Sequence, residues 1–166
     1  MTEFRYCPRC TTPLEIQPLA GLDRAACPDP ACGFVHWGNP VPVVAALVEL
    51  EGRILMARNH AWPEKTFGLI AGFLERDETP EEAIRREIRE EVALETEALS
   101  LIGIYPFARR NEIIIVYHAH ARGQVRLNEE LAEFRLIEPA RLRPWDYGTG
   151  LAVRDWLQRA GLGAGE

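Results

Sequence analysis

"GFLERDETPEEAIRREIREEVAL", Gly72 to Leu94, crowds eight acidic residues into twenty-three positions, and three of its last eight residues are glutamates. Like charges at that density resist packing into one face, so the stretch is either fully solvated or holds something positive. Its helical start is well marked: Thr79 stands as N-cap, Pro80 takes the first helical position, and Glu82 follows three residues after the cap to close a capping box. On a helix over residues 80–94, at about 100° per residue, Glu87, Glu90 and Glu91 share one face. Ile84, Ile88 and Val92 form the adjoining apolar stripe, suited to packing on a sheet, while Glu82, Arg85 and Arg89 point outward. The three carboxylates therefore lie beside the buried stripe, where screening by water is incomplete.

Two explanations suit that face. A solvated helix laced with Glu/Arg pairs accounts for Arg86 and Glu90 at i, i+4. A hard divalent cation accounts for the three close carboxylates, because Mg²⁺ takes oxygen ligands and shares them with water and substrate phosphates. The flanking residues favour the second. Gly72, Glu78, Arg86-Glu87, Ile88, Glu90-Glu91 and Leu94 stand at the spacing of the signature of the Nudix hydrolases, which the stretch resembles. Ala93 is the one departure, standing where that family has Gly, and it costs about 1 kcal/mol at a left-handed helix end without touching the ligands.

The resemblance implies an α/β fold with a mixed sheet, a Nudix α/β/α sandwich. It implies that Glu87, Glu90 and Glu91 bind one to three Mg²⁺ or Mn²⁺ ions, with Ala71 or Gly72 adding a backbone carbonyl, and that Arg86 and Glu78 orient the glutamates. The implied reaction is metal-dependent hydrolysis of the pyrophosphate bond in a nucleoside diphosphate linked to another moiety. A further carboxylate, as base or metal ligand, lies after the long hairpin in the branch resembling NADH pyrophosphatases. The match here falls on Glu130, with Glu129 its neighbour, and two solvated loop glutamates are the alternative.

Around that helix the chain reads as strands. "VPVVAALVEL" and "RILMARN", separated by "EG", predict a hairpin, and "FGLIAGFL" predicts a strand running into the loop before the helix. "ALSLIGIYPF" and "NEIIIVYHAHA" are β-rich, and a short amphipathic helix is expected from about residue 149 to 160. The preceding segment differs. All four cysteines fall there, as "CPRC" (Cys7, Cys10) and "CPDPAC" (Cys27, Cys32), close to the paired knuckles of a zinc ribbon. Four thiolates around Zn²⁺ make a closed structural site, a better account than free reactive thiols. Expected domains are therefore a ribbon over residues 1–38 and a Nudix hydrolase domain over 39–162.

Composition narrows the function. Apolar residues make up 47% and charged residues 27%, as in a globular protein. The net charge of −6, with eighteen Arg and a single Lys, gives no broad basic surface for nucleic acid, although a small nucleotide is compatible with it. The first residues lack the apolar core of a secretory signal, no run reaches the ~18 to 20 residues of a membrane span, and a cytoplasmic location is expected.

Substrate choice is less defined. The NADH pyrophosphatases carry a Ser-Gln-Pro-Trp-Pro-Phe-Pro motif, and the matching "GIYPFAR" keeps only Pro106-Phe107, with Tyr105 replacing the Trp. NADH, ADP-ribose, FAD and related dinucleotides stay open. Phe73, Tyr105 and Phe107 are candidates to stack on a base, or are simply core, and Arg109 with Arg110 at a hairpin tip is a candidate for phosphate. The competing class is a non-catalytic nucleotide sensor whose ribbon contacts protein or nucleic acid. The intact glutamate set argues against lost catalysis, and the charge of the first forty residues, three Arg against four acidic, argues against nucleic-acid contact. Members of the resembled family are often dimeric, which leaves a homodimer open to this chain.

Overall fold

The computed structural model describes residues 4–162. Backbone contacts divide the chain into two units, Met1–Pro40 and Val41–Glu166. The first holds an antiparallel hairpin of β1 (Glu15–Leu19) and β2 (Leu22–Ala26), reversed at Ala20-Gly21, both at positive φ.

The second unit is built on β3 (Val41–Leu50), which is followed by β4 (Arg53–Asn59) through the two-residue turn Glu51-Gly52. Both turn residues have positive φ, 52° and 75°, the geometry that suits the twist of a tight hairpin. Next come β5 (Ile70–Phe73), α1 (Pro80–Val92), β6 (Glu95–Phe107), β7 (Glu112–Arg122), β8 (Leu131–Ile137) and α2 (Gly150–Arg159). The sheet order is β6-β7-β3-β4-β8, with β5 also paired to β3. Only β3 and β7 run parallel, so the sheet is mixed.

Strand β3 shares one flank between two partners: Val48 to Leu50 pair with β4, and Val43 to Ala46 pair with β5. This split turns the end of β5 away from the sheet and hands the chain to α1. Alternation along β3 then builds two cores. Val44, Ala46, Val48 and Leu50 pack with Ala83, Ile84, Ile88 and Val92 of α1. Val43, Ala45 and Leu47 pack with Ala152, Val153 and Leu157 of α2. One helix covers each face, which is the α/β/α sandwich expected from the sequence.

Helix α1 keeps the stripe its periodicity predicts, since Ile84, Ile88 and Val92 have no solvent exposure. Its capping box is formed in both directions between Thr79 and Glu82. Its end lies at Ala93, at φ 56° and ψ 32°, a left-handed residue whose N–H donates to Arg89 O. No described helix is long and apolar enough to cross a membrane.

Candidate active site

Gly72 of β5 and Glu87 of α1 approach each other closely. A Cβ at position 72 would collide with the Glu87 carboxylate, so only Gly lets that side chain lie against the strand. Glu87 is correspondingly largely hidden, its side chain 13% exposed, against 57% for Glu90.

Arg86 organises the loop and the acidic face together. Its guanidinium donates to both carboxylate oxygens of Glu78, at 3.1 and 2.8 Å, and to the carbonyl of Phe73 at 3.2 Å. The same group reaches Glu87 at 2.7 Å and Glu90 at 3.1 Å. Glu78 in turn accepts from the N–H of Glu75, at 2.7 Å, which fixes the loop between β5 and α1. The Arg86 hydrogen bonds and the Glu75 N–H hold the Glu78 carboxyl below its ordinary range. The i, i+4 contact of Arg86 with Glu90 is thus present, as one spoke of a five-contact hub that a plain surface pair would lack.

Glu91 follows Glu87 by one turn of α1. Burial, followed by the charges of Glu87 and Glu130, pushes its pKa up to about 8, and a hydrogen bond from the Ala71 backbone opposes the rise. Glu130 is brought there by the segment between β7 and β8. The N–H groups of Arg126 and Asn128 donate to the carbonyls of Val92 and Glu91, at 3.0 and 3.1 Å, and so satisfy acceptors at the end of α1. Asn128 Oδ1 accepts from the N–H groups of Glu130 and Leu131, at 3.1 and 3.2 Å. Glu130, and not its neighbour Glu129, contributes to the field on Glu91.

Beside this face opens a cleft of about 660 Å³. Its lining includes Ala71 and Gly72 of β5, the residues that also touch Glu91 and Glu87, and its walls include Phe73, Phe107, Trp62, Trp145 and Tyr147. Phe107 and Tyr147 lie nearly parallel, with ring centroids 6.4 Å apart. Lys65, Arg110 and Glu112 supply charge, and Arg110 pairs with Glu112 at 3.0 Å. Of the four substrate candidates, Phe73 and Phe107 line the cleft. Tyr105 does not: it is 9% exposed and donates its hydroxyl to Asp155 of α2 at 2.6 Å. Arg109 is exposed and outside the cleft wall, which its neighbour Arg110 joins.

A family model described as the NUDIX domain matches residues 38–157. The chain belongs to the Nudix family. It is 30% identical over 138 residues to the NAD-capped RNA hydrolase NudC of Mycobacterium bovis, a match covering 82% of this chain and 42% of that protein. It is 32% identical over 132 residues to the human mitochondrial NAD(P)H pyrophosphatase NUDT13, covering 78% of this chain and 36% of that one. The chain thus matches less than half the length of these two relatives. Among solved structures, a NUDIX hydrolase from Nitrosomonas europaea superposes with a TM-score of 0.78 at 23% identity, covering 98% of this chain and 97% of that one. That likeness supports the Nudix fold.

In the first unit the four cysteines converge. Cys7 Sγ lies 3.5 Å from Cys32 Sγ, and Cys10 Sγ lies 3.5 Å from Cys27 Sγ. All four sulfurs fall within 4.8 Å of one another and none is in a disulfide. Thr11, where a ribbon knuckle favours Gly, has φ 62°. Hydrogen bonding with Thr12 draws the Cys10 thiol down to about 6.

The Nudix helix is not such a set: among the described residues, groups of three ligating side chains within 4.8 Å are the cysteines and a Glu49, His118, His120 cluster. Glu87 and Glu90 turn toward Arg86, while Glu91 turns toward Ala71. Sequence reasoning missed Trp62, Lys65, Trp145 and Tyr147. The aromatic pair in "PWDYG" was a signal for two of them, while Trp62 and Lys65 sit in a run of turns with no periodicity to place them.

Proposed function

We propose that the protein is a metal-dependent pyrophosphohydrolase acting on a nucleoside diphosphate linked to another moiety, such as NADH, ADP-ribose, FAD or a related dinucleotide. The carrying observation is at Ala71 and Gly72 of β5, which line a cleft walled by aromatic rings and also lie against Glu91 and Glu87 of α1. The activities of the two relatives, on NAD-capped RNA and on NAD(P)H, support the same substrate class.

The donor set fits Mg²⁺ or Mn²⁺. Glu87, Glu90 and Glu91 offer hard oxygens, Ala71 or Gly72 can add a carbonyl, and Glu91 is raised first by burial and then by the charges of Glu87 and Glu130, a setting in which a cation would favour its ionised form. A divalent cation held there supplies polarisation of a phosphoryl oxygen and a lowered pKa for an attacking water. Arg86 and Glu78 hold Glu87 and Glu90 in place. Glu130, beside Glu91, accepts the proton of the water as its oxygen bonds to phosphorus. The bridging P–O bond breaks, leaving two phosphorylated fragments. Phe73, Phe107, Trp145 and Tyr147 stack on the base or nicotinamide, and Arg110 and Lys65 meet the phosphates.

In the first unit, Cys7, Cys10, Cys27 and Cys32 hold one Zn²⁺. Tetrahedral zinc with bonds of about 2.3 Å sets its thiolates about 3.8 Å apart, close to the sulfur spacing here. Such a site is structural, as it has no open position.

A panel of NADH, ADP-ribose, FAD and diadenosine polyphosphates with Mg²⁺, products weighed by mass spectrometry, tests the activity. Cleavage that disappears in Glu91→Gln, with the fold intact, is the expected result. Full turnover in that variant overturns the catalytic assignment. Metal analysis of protein purified without chelators tests the ribbon, and a chain with no zinc bound by its thiols overturns it.

A further inference from the structure

The Glu49, His118, His120 cluster lies apart from everything described so far. Glu49 stands on β3 and the two histidines on β7, which runs parallel beside it with Glu49 opposite His120 and Leu47 opposite His118. Side chains two residues apart on a strand share a face, so His118 and His120 project together, and the register sets Glu49 beside them. Alternation along β3 puts Glu49 on the side of Val43, Ala45 and Leu47, the face covered by α2. Trp156 of α2 packs on the His118 ring at 5.1 Å between centroids. Helix α1, with its glutamates, covers the opposite face.

The atoms converge. Glu49 Oε2 lies 2.8 Å from His118 Nε2 and 3.8 Å from His120 Nδ1, and one ligand atom from each of the three falls within 4.8 Å of the others. The imidazole rings stand 4.5 Å apart, inclined by 57°. A hydrogen bond between His118 and Glu49 accounts for two members of the set and leaves the third unexplained, since His120 turns its Nδ1 to the same carboxylate oxygen.

We propose that Glu49, His118 and His120 form a binding site for a divalent transition-metal ion of the zinc type. Two imidazoles and one carboxylate are the donors zinc takes when a position is left open for water or another ligand. Bonds of about 2.0–2.1 Å at tetrahedral angles set donor atoms about 3.3–3.4 Å apart, a value that the 2.8 and 3.8 Å separations straddle. Shifts of about half an ångström bring both carboxylate–imidazole separations to that value. His118 is held by Trp156 on its inner side, which orients one ligand, while the His120 side chain is 52% exposed and gives the ion a path in. The neighbouring positions of β6, Ala98 opposite His120 and Ser100 opposite His118, are small and exposed, so nothing bulky closes the site. The donors are nitrogen-rich, unlike the all-carboxylate face of α1, so the two sites sort different cations: borderline zinc here, hard magnesium there.

The test uses the full chain with one equivalent of Zn²⁺ already added to saturate the thiols and millimolar Mg²⁺ present throughout. A further Zn²⁺ titration is followed by imidazole ¹⁵N resonances of the four histidines, His36, His60, His118 and His120. Expected is a joint shift of His118 and His120 that saturates at one added equivalent, with His36 and His60 unmoved. His120→Ala, at an exposed position that spares the fold, and Glu49→Gln should each weaken this binding at least about tenfold. The proposal is overturned if His118 and His120 stay unmoved, if all four histidines shift together, or if His120→Ala binds with unchanged affinity.

Discussion

Gly72 and Glu87 meet with no room for a side chain between them: a Cβ on the strand residue would overlap the carboxylate of the helix residue. The backbone at Gly72 is not left-handed, so the constraint is the close approach alone. In Gly72→Ala the fold should survive and the flexible end of Glu87 should move instead. A displacement of about 1 Å at a catalytic group can cost 10²-fold in rate, so turnover is expected to fall by about that factor with the circular dichroism spectrum unchanged. Loss of rate with an intact spectrum is the outcome to look for; wild-type rate would mean that Glu87 does not need its place against β5.

Ala93 ends α1 in the left-handed region, at φ 56°. A Cβ there costs about 1 kcal/mol that Gly avoids, and the Nudix signature has Gly at this position. Ala93→Gly is therefore expected to stabilise the protein by about 1 kcal/mol, or a rise in Tm of about 2–4 °C for a chain of this size. Thermal denaturation of the two proteins measures it, and an equal or lower Tm in the variant contradicts the strain at this cap.

Much of this architecture could be read locally. The capping box, the Ile84, Ile88, Val92 stripe and the Glu51-Gly52 hairpin turn each depend on residues within a few positions of one another, and each is formed. The glutamate face was legible for the same reason. What lay beyond reach depended on pairing across the chain. Tyr105 and Phe107 are two residues apart on one strand, yet one hydroxyl bonds to Asp155 of α2 while the other ring lines the cleft against Tyr147. Glu49 meets His118 and His120 only through the parallel register of β3 and β7, which no local pattern encodes. Glu130 and Glu129 are both exposed loop glutamates with no local pattern between them, and the charge of Glu130 reaches Glu91 only through the turn that Asn128 ties back to α1.

Glu78 has a folded pKa below its unfolded value of 4.5, through the Arg86 hydrogen bonds first and the Glu75 N–H second. For a lowered carboxylate the stability contribution is present above the unfolded pKa and is lost as pH falls through the folded one. Glu78→Gln should therefore be less stable than wild type at pH about 7, and the gap should close in acid below about 4. Urea unfolding of both proteins at several pH values checks the sign. A gap that is constant with pH would place the cause in packing, not in the charge of Glu78.

Asn128 joins two parts of the site without lining it. Its N–H donates to the carbonyl of Glu91, and its side-chain oxygen accepts from the N–H of Glu130. Removing the side chain leaves the first link and cuts the second, so the Glu130 N–H loses its tether, its carbonyl staying bonded to the His60 N–H, while α1 keeps its C-terminal partner. If Glu130 takes the proton of the attacking water, Asn128→Ala should lower kcat by about tenfold and leave KM near its wild-type value, because the aromatic cleft is untouched. Glu130→Gln should lower kcat further, by about 10²-fold or more, as it deletes the acceptor itself. The double variant should be no slower than Glu130→Gln alone, since Asn128 acts only through Glu130. Steady-state kinetics of the three variants decide it: a double variant slower than Glu130→Gln by the full Asn128→Ala factor would mean that Asn128 serves the reaction by another route.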